Sequence, residues 1–135
     1  MREIKFRGKR IDNGEWVYGN YFIDERDIED GFIWRDIPQI QQRYGDHYQY
    51  YDIDPSTVGQ YTGLKDKNGV EIYEGDIVTG LFDHADIIGH IIYGSDATFF
   101  IYRKGLYGIG LNNAEDWLEV IGNIHDNPEL LGGAE

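Results

Sequence analysis

Residues 58–78 read VGQYTGLKDKNGVEIYEGDIV, and their punctuation sets the fold. Val58 to Leu64 is a strand-forming run that meets Lys65-Asp66-Lys67-Asn68-Gly69. Asn-Gly is the strongest short hairpin signal, because both residues tolerate positive φ. Val70 to Tyr73 is then the return strand. Glu74-Gly75-Asp76 makes a second turn, from which Ile77 to Phe82 leaves as a further strand.

The same cadence continues downstream. Ile87 to Tyr93, Thr98 to Tyr102, Leu106 to Ile109 and Leu118 to Ile124 are strands, each bounded by Gly, Asp or Asn. Asn127 before Pro128 has the form of an N-cap with proline at the first helical position, opening a one-turn helix that Gly132-Gly133 ends. Short strands with turns every eight to twelve residues are the pattern of a small barrel or sandwich, and the cadence of this half is that of SH3-like barrels.

Upstream, Ile4 and Phe6 alternate with charged residues, the period-two signature of a half-buried strand. Asp12-Asn13-Gly14 turns the chain into a second strand, Glu15 to Ile23, apolar on both faces. Asp24 to Asp30 reads as an exposed loop or one helical turn, and Gly31 to Arg35 as a short strand. The polar run from Asp36 to Asp46 has no clean period and reads as loop, with helix as the alternative. His47 to Ile53 is strand-like until Asp54-Pro55-Ser56 breaks it.

The expected fold is therefore mainly β: a small antiparallel barrel, SH3-like in its C-terminal half, with an N-terminal β-hairpin extension and a short C-terminal helix. Residues 1–56 hold the hairpin and a tyrosine-rich segment, and 57–135 the barrel-like core. One compact folding unit is expected.

A chain of 135 residues can bury a core without help from disulfides or metals. It has no Cys, so disulfides, thiolate metal sites and a Cys nucleophile are excluded. The N-terminus has no apolar run of signal-peptide length and no stretch approaches a membrane span, so a cytoplasmic protein is expected. The first ten residues carry five basic side chains and one acidic, +4 of a total of −13, which leaves −17 on residues 11–135. Such a body repels nucleic-acid phosphates at long range, so nucleic acid is disfavoured as a partner.

Three blocks are similar to one known family. They are the opening MREIKFRG (1–8), the run 58–78 quoted above, and EVIGNIHDNPELL (119–131). Lying at the start, middle and end, they resemble the YopX family of phage and prophage proteins. The resemblance implies a mainly β protein of a phage or prophage working in the bacterial cytoplasm. It implies no activity and no catalytic residues. Residues 24–50 and 83–113 match no pattern of the family.

Thr62, Asp66, Glu74 and Asp76 are the polar residues of the middle block. In one reading they are turn-formers, whose carboxylates accept hydrogen bonds from nearby amides. In the other they converge as a polar cluster, in which two carboxylates divide into acid and base. His84 and His90, with Asp83 and Asp86, superficially suggest a metal site, but the intervening turn breaks their register. There is no phosphate loop and no nucleophile elbow. No cofactor, metal or catalytic residue is expected, and the balance leans away from an enzyme.

The aromatic residues are the most distinctive feature. Trp16, Tyr18, Trp34, Tyr48, Tyr50 and Tyr51, with Arg7, Lys9 and Arg10, are candidate interface residues, because Tyr and Trp join a large contact area to a polar tip. The first functional expectation is a self-associating interaction protein, a homo-oligomer that also meets a host or phage protein. A second is an acidic inhibitor or nucleic-acid mimic that binds a basic host protein. A third, ranked last, is a carboxylate-dependent enzyme acting on a small polar substrate.

Overall fold

The computed structural model of the chain describes residues 4–27, 29, 31 and 34–132, with the side chain of Trp34 outside the description. Contacts divide it into two compact units between Gln60 and Tyr61. The chain is mainly β.

In the N-terminal unit, β1 (Phe6–Arg10), β2 (Trp16–Asp27), β3 (Trp34–Tyr44) and β4 (His47–Lys65) are antiparallel neighbours in that order. β1 pairs with β2 on one side and with residues 53–60 of β4 on the other, so the four strands close into a ring. The hairpin expected at the N-terminus is thus part of a larger closed structure. Val17, Ile40 and Ile53 fill the ring, with Phe6, Tyr21, Tyr51 and Val58 packed against them. Each such aliphatic side chain, fully buried, contributes about 1.5–3 kcal/mol.

Two expectations for this unit are corrected. Residues 24–27 and 36–44 are strand, paired from Asn20↔Gln41 to Asp27↔Trp34 and from Gln39↔Asp52 to Tyr44↔His47. Ladder hydrogen bonds do not depend on side-chain polarity. On β3 the outer row is Arg35, Ile37, Gln39, Gln41 and Arg43, with one apolar residue, so that stretch has no apolar alternation to betray it. Nor does Pro55 end its strand. Between Arg7↔Gly59 and Lys9↔Asp54 the register shifts, and β4 bulges across residues 55–58. Bulges are where a strand tolerates proline. Thr57 bridges the gap: its Oγ1 donates to the Asp54 carbonyl (2.6 Å) and accepts from the Lys9 N–H (2.9 Å).

In the C-terminal unit, residues 61–65 of β4 pair with β5 (Glu71–Tyr73). A second sheet holds β6 (Asp76–Phe82), β7 (Ala85–Tyr93), β8 (Phe99–Tyr102), β9 (Ile109–Gly110) and β10 (Glu119–Asn123). Its order is β10-β6-β7-β8-β9: the last strand returns to pair with the first, the order of an SH3-like barrel. The one-turn helix α1 (Ala114–Trp117) precedes that return. Ile72, Val78, Ile87, Ile91, Ile101, Ile109, Leu111, Ala114 and Leu118 form the core. The expected C-terminal helix is a 3-10 turn, Pro128–Leu131, stopped at Gly132. Asn127 does not cap it with its side chain; its Oδ1 accepts instead from the Asn123 N–H (3.2 Å).

The β6–β7 hairpin turns on Asp83 and His84, both at positive φ (51° and 68°). A two-residue turn with both central residues left-handed favours Gly in the second place. His84→Gly should therefore stabilise the protein by about 0.5–1 kcal/mol, read as a rise in the urea midpoint. An unchanged or lowered midpoint would show that the histidine side chain is held by something worth more than the strain.

Candidate interaction surface

Alternation along the strands sorts the candidate residues onto two faces. Arg7 and Lys9 of β1 stand opposite Tyr18 and Trp16 of β2, and all four share one face by parity, on which Arg7 is buried, Lys9 and Trp16 are half-buried and Tyr18 is exposed. Asn20 and Phe22 continue that face on β2, Gln39 and Gln41 on β3, and Tyr48, Tyr50 and Asp52 on β4.

The outer face is built as an ordered array. The Arg7 guanidinium lies 4.6 Å from the Trp16 ring centroid and the Lys9 ammonium 5.5 Å, within cation–π range. Asn20 donates to Gln41 (3.1 Å), and Gln41 donates to the Tyr50 hydroxyl (3.0 Å). Phe22 meets Tyr50 edge-on, with centroids 5.5 Å apart. Arg26 holds Asp52 with two bonds of 3.1 Å, and Gln39 donates to the same carboxylate (2.7 Å). The Arg26 hydrogen bond, joined by that of Gln39, outweighs burial and holds the Asp52 pKa below the ordinary carboxylate value. Tyr48 and Tyr50 nonetheless leave about half their surface in solvent, at 52% and 47%.

Arg10 and Tyr51 fall on the opposite parity, at the mouth of the ring. The Arg10 guanidinium sits 4.5 Å over the Tyr51 ring and forms a forked pair with Asp12 (2.6 and 2.9 Å). The Tyr51 hydroxyl meets that of Tyr44 at 3.1 Å. A cleft of about 500 Å³ opens here, lined by Arg10, Asp12, Arg26, Gln39, Tyr50 and Asp52 among others. Its cations are already matched by carboxylates. Trp34 begins β3, with its side chain outside the description. Sequence reasoning missed Arg26, Gln39 and Gln41, which lie in the two stretches read as loop, and Phe22 and Asp52, which lie in strands.

The four polar residues of the middle block lie in the C-terminal unit. Thr62 Oγ1 accepts from Leu64 N–H across the irregularity at Gly63. Asp66 is buried; its Oδ1 accepts from the Asn68 and Val70 N–H groups and its Oδ2 from Val120 N–H. Asp76, also buried, accepts from Tyr73 N–H (2.7 Å), and half-buried Glu74 lies in the same tight turn. Thr62 also lines a cleft of about 610 Å³ with Leu64, Thr98, Phe99, Asn112 and Asn113. Among the described residues no three His, Cys, Asp or Glu side chains gather as metal ligands.

The profile of the YopX protein family matches residues 5–132. The chain belongs to the YopX family. The crystal structure of protein EF1440 from Enterococcus faecalis is similar to this family member: 29% of residues are identical, 97% of this chain and 99% of that one are covered, and the TM-score is 0.56. No curated protein matches. Among the described residues no helix is long and apolar enough to cross a membrane.

Proposed function

We propose that this YopX family member is a non-catalytic interaction module of a phage or prophage, working in the bacterial cytoplasm, and that it associates with copies of itself through the outer face of its N-terminal ring. The carrying observation is the array on β2, β3 and β4: tyrosines half in solvent, their neighbours already held by hydrogen bonds and ring contacts. Side chains fixed before contact lose little entropy on docking, and aromatic residues dominate the centres of protein interfaces. The buried carboxylates of the middle block each serve turn amides, which supports a framework role for them.

Sedimentation of the full chain from micromolar concentrations upward tests this reading. The expected result is a species heavier than the 15.6 kDa chain, shifted towards monomer by Tyr18→Asp, which places a charge on the outer face. A clean monomer throughout would remove the proposal.

A further inference from the structure

The cleft beside Thr62 lies wholly in the C-terminal unit, apart from the aromatic face described above. Its volume of about 610 Å³ is within the roughly 300–1,000 Å³ of small-ligand sites. No Lys, Arg, His, Asp or Glu lines it, although 27% of the chain is charged, so its wall departs from the rest of the surface.

The polar groups of that wall have hydrogen-bonding capacity to spare. Thr62 is 4% exposed, and its Oγ1 accepts from Leu64 N–H (3.1 Å). A hydroxyl also donates, and among the described residues nothing accepts the Thr62 proton. Thr98 donates its own proton to Asp96 (2.8 Å), which leaves its oxygen to accept. The side-chain amides of Asn112 and Asn113 bond to no described residue. Two backbone outliers stand at the rim. Ala97 and Asn113 have φ of 64° and 58°, and Asn113 occupies the N-cap position of α1 without capping it. Non-glycine residues hold that conformation at a cost, and such residues concentrate at ligand sites.

We infer that this cleft binds a neutral saccharide. Hydroxyl groups donate and accept at once, which matches Thr62, Thr98 and the two carboxamides together. The C–H face of a sugar ring suits Phe99, Leu64 and Leu111. An ion finds no counter-charge in the cleft. An apolar ligand would strip water from four polar groups and return no hydrogen bond. A nucleobase stacks on aromatic or guanidinium planes, and this cleft offers one ring and no Arg. Thr62 therefore keeps uncharged company, instead of the carboxylates with which the sequence grouped it. The site is independent of self-association through the N-terminal ring.

The test is a titration of the full chain with maltotriose, cellotriose and tri-N-acetylchitotriose, followed by amide NMR shifts. At least one should bind with a dissociation constant of about a millimolar or tighter. The shifts should centre on residues 62–64, 97–99 and 111–113. Two variants remove ligand groups and spare the fold. Asn113→Gly takes away a carboxamide and keeps the left-handed backbone. Asn112→Ala takes away the other, while the residue's carbonyl still accepts from Trp117 Nε1 (3.0 Å). Each should weaken binding by about three- to tenfold, the worth of one hydrogen bond. The inference fails if no trisaccharide binds at about ten times the expected constant, or if the shifts fall elsewhere. It fails equally if both variants bind like the unaltered chain. Stronger shifts of the same amides by uridine or N-acetylalanine methylamide than by every saccharide would also overturn it.

Discussion

Asp66→Asn lowers the stability of the full chain by about 2–4 kcal/mol, measured by urea unfolding, because one buried carboxylate serves three backbone donors. Oδ1 accepts from Asn68 N–H (2.8 Å) and Val70 N–H (2.9 Å), shaping the turn between β4 and β5. Oδ2 accepts from Val120 N–H (2.9 Å) on β10, the strand whose return to β6 sets the order of the second sheet. Asparagine has one acceptor oxygen. If it keeps the turn, its NH2 group points at the Val120 N–H, and a donor is left facing a donor. Removing a partner from a buried donor costs more than the bond itself contributed. The bond from Lys67 N–H to the Leu118 carbonyl (2.9 Å) would remain as a second tie between turn and β10, so loosening rather than loss of the sheet is expected. A change below about 0.5 kcal/mol would mean that the carboxylate is not the clasp described here.

The same residue gives a pH dependence of definite sign. Burial acts to raise the Asp66 pKa, but the amides of Val120, Val70 and Asn68, with the charge of Lys67, outweigh it and hold the pKa below the ordinary carboxylate value. A group with a depressed folded pKa contributes stability that is present above its unfolded value, about 3.9, and is lost as pH falls through the lower folded value. Stability should therefore decline as the pH drops below about 4. Part of that slope should disappear in Asp66→Asn, which has no proton to gain.

Gly19→Ala costs about 2–3 kcal/mol, by overpacking rather than by a lost contact. Gly19 is the residue at which β2 changes neighbours: residues 16–19 pair with β1, and 20–27 with β3. A Cβ there would land on the carbonyl oxygen of Gln41 in β3. That atom is backbone and cannot swing aside, so β3 must move and the ring must open. Gly110→Ala is the matched control, because nothing lies within 4 Å of the added carbon. It should be nearly neutral in the same urea experiment. Equal costs at both sites would show that the β2–β3 approach at Gly19 is looser than described.

Much of the C-terminal unit was legible in the chain. Alternation in Ile87-Ile88-Gly89-His90-Ile91 buries Ile87, Gly89 and Ile91, as a strand lying on a core must. The Asn68-Gly69 and Gly75-Asp76 turns announced themselves through residues that only certain backbone geometries favour. What local chemistry determined by itself was therefore the mainly β class, the SH3-like order of the second half and the likeness to the YopX family. Ring closure, the path of residues 34–44 and the assignment of partners were decided only in three dimensions. A strand whose outer row is mainly Gln and Arg carries no apolar period, and its hydrogen bonds exist only once distant strands meet.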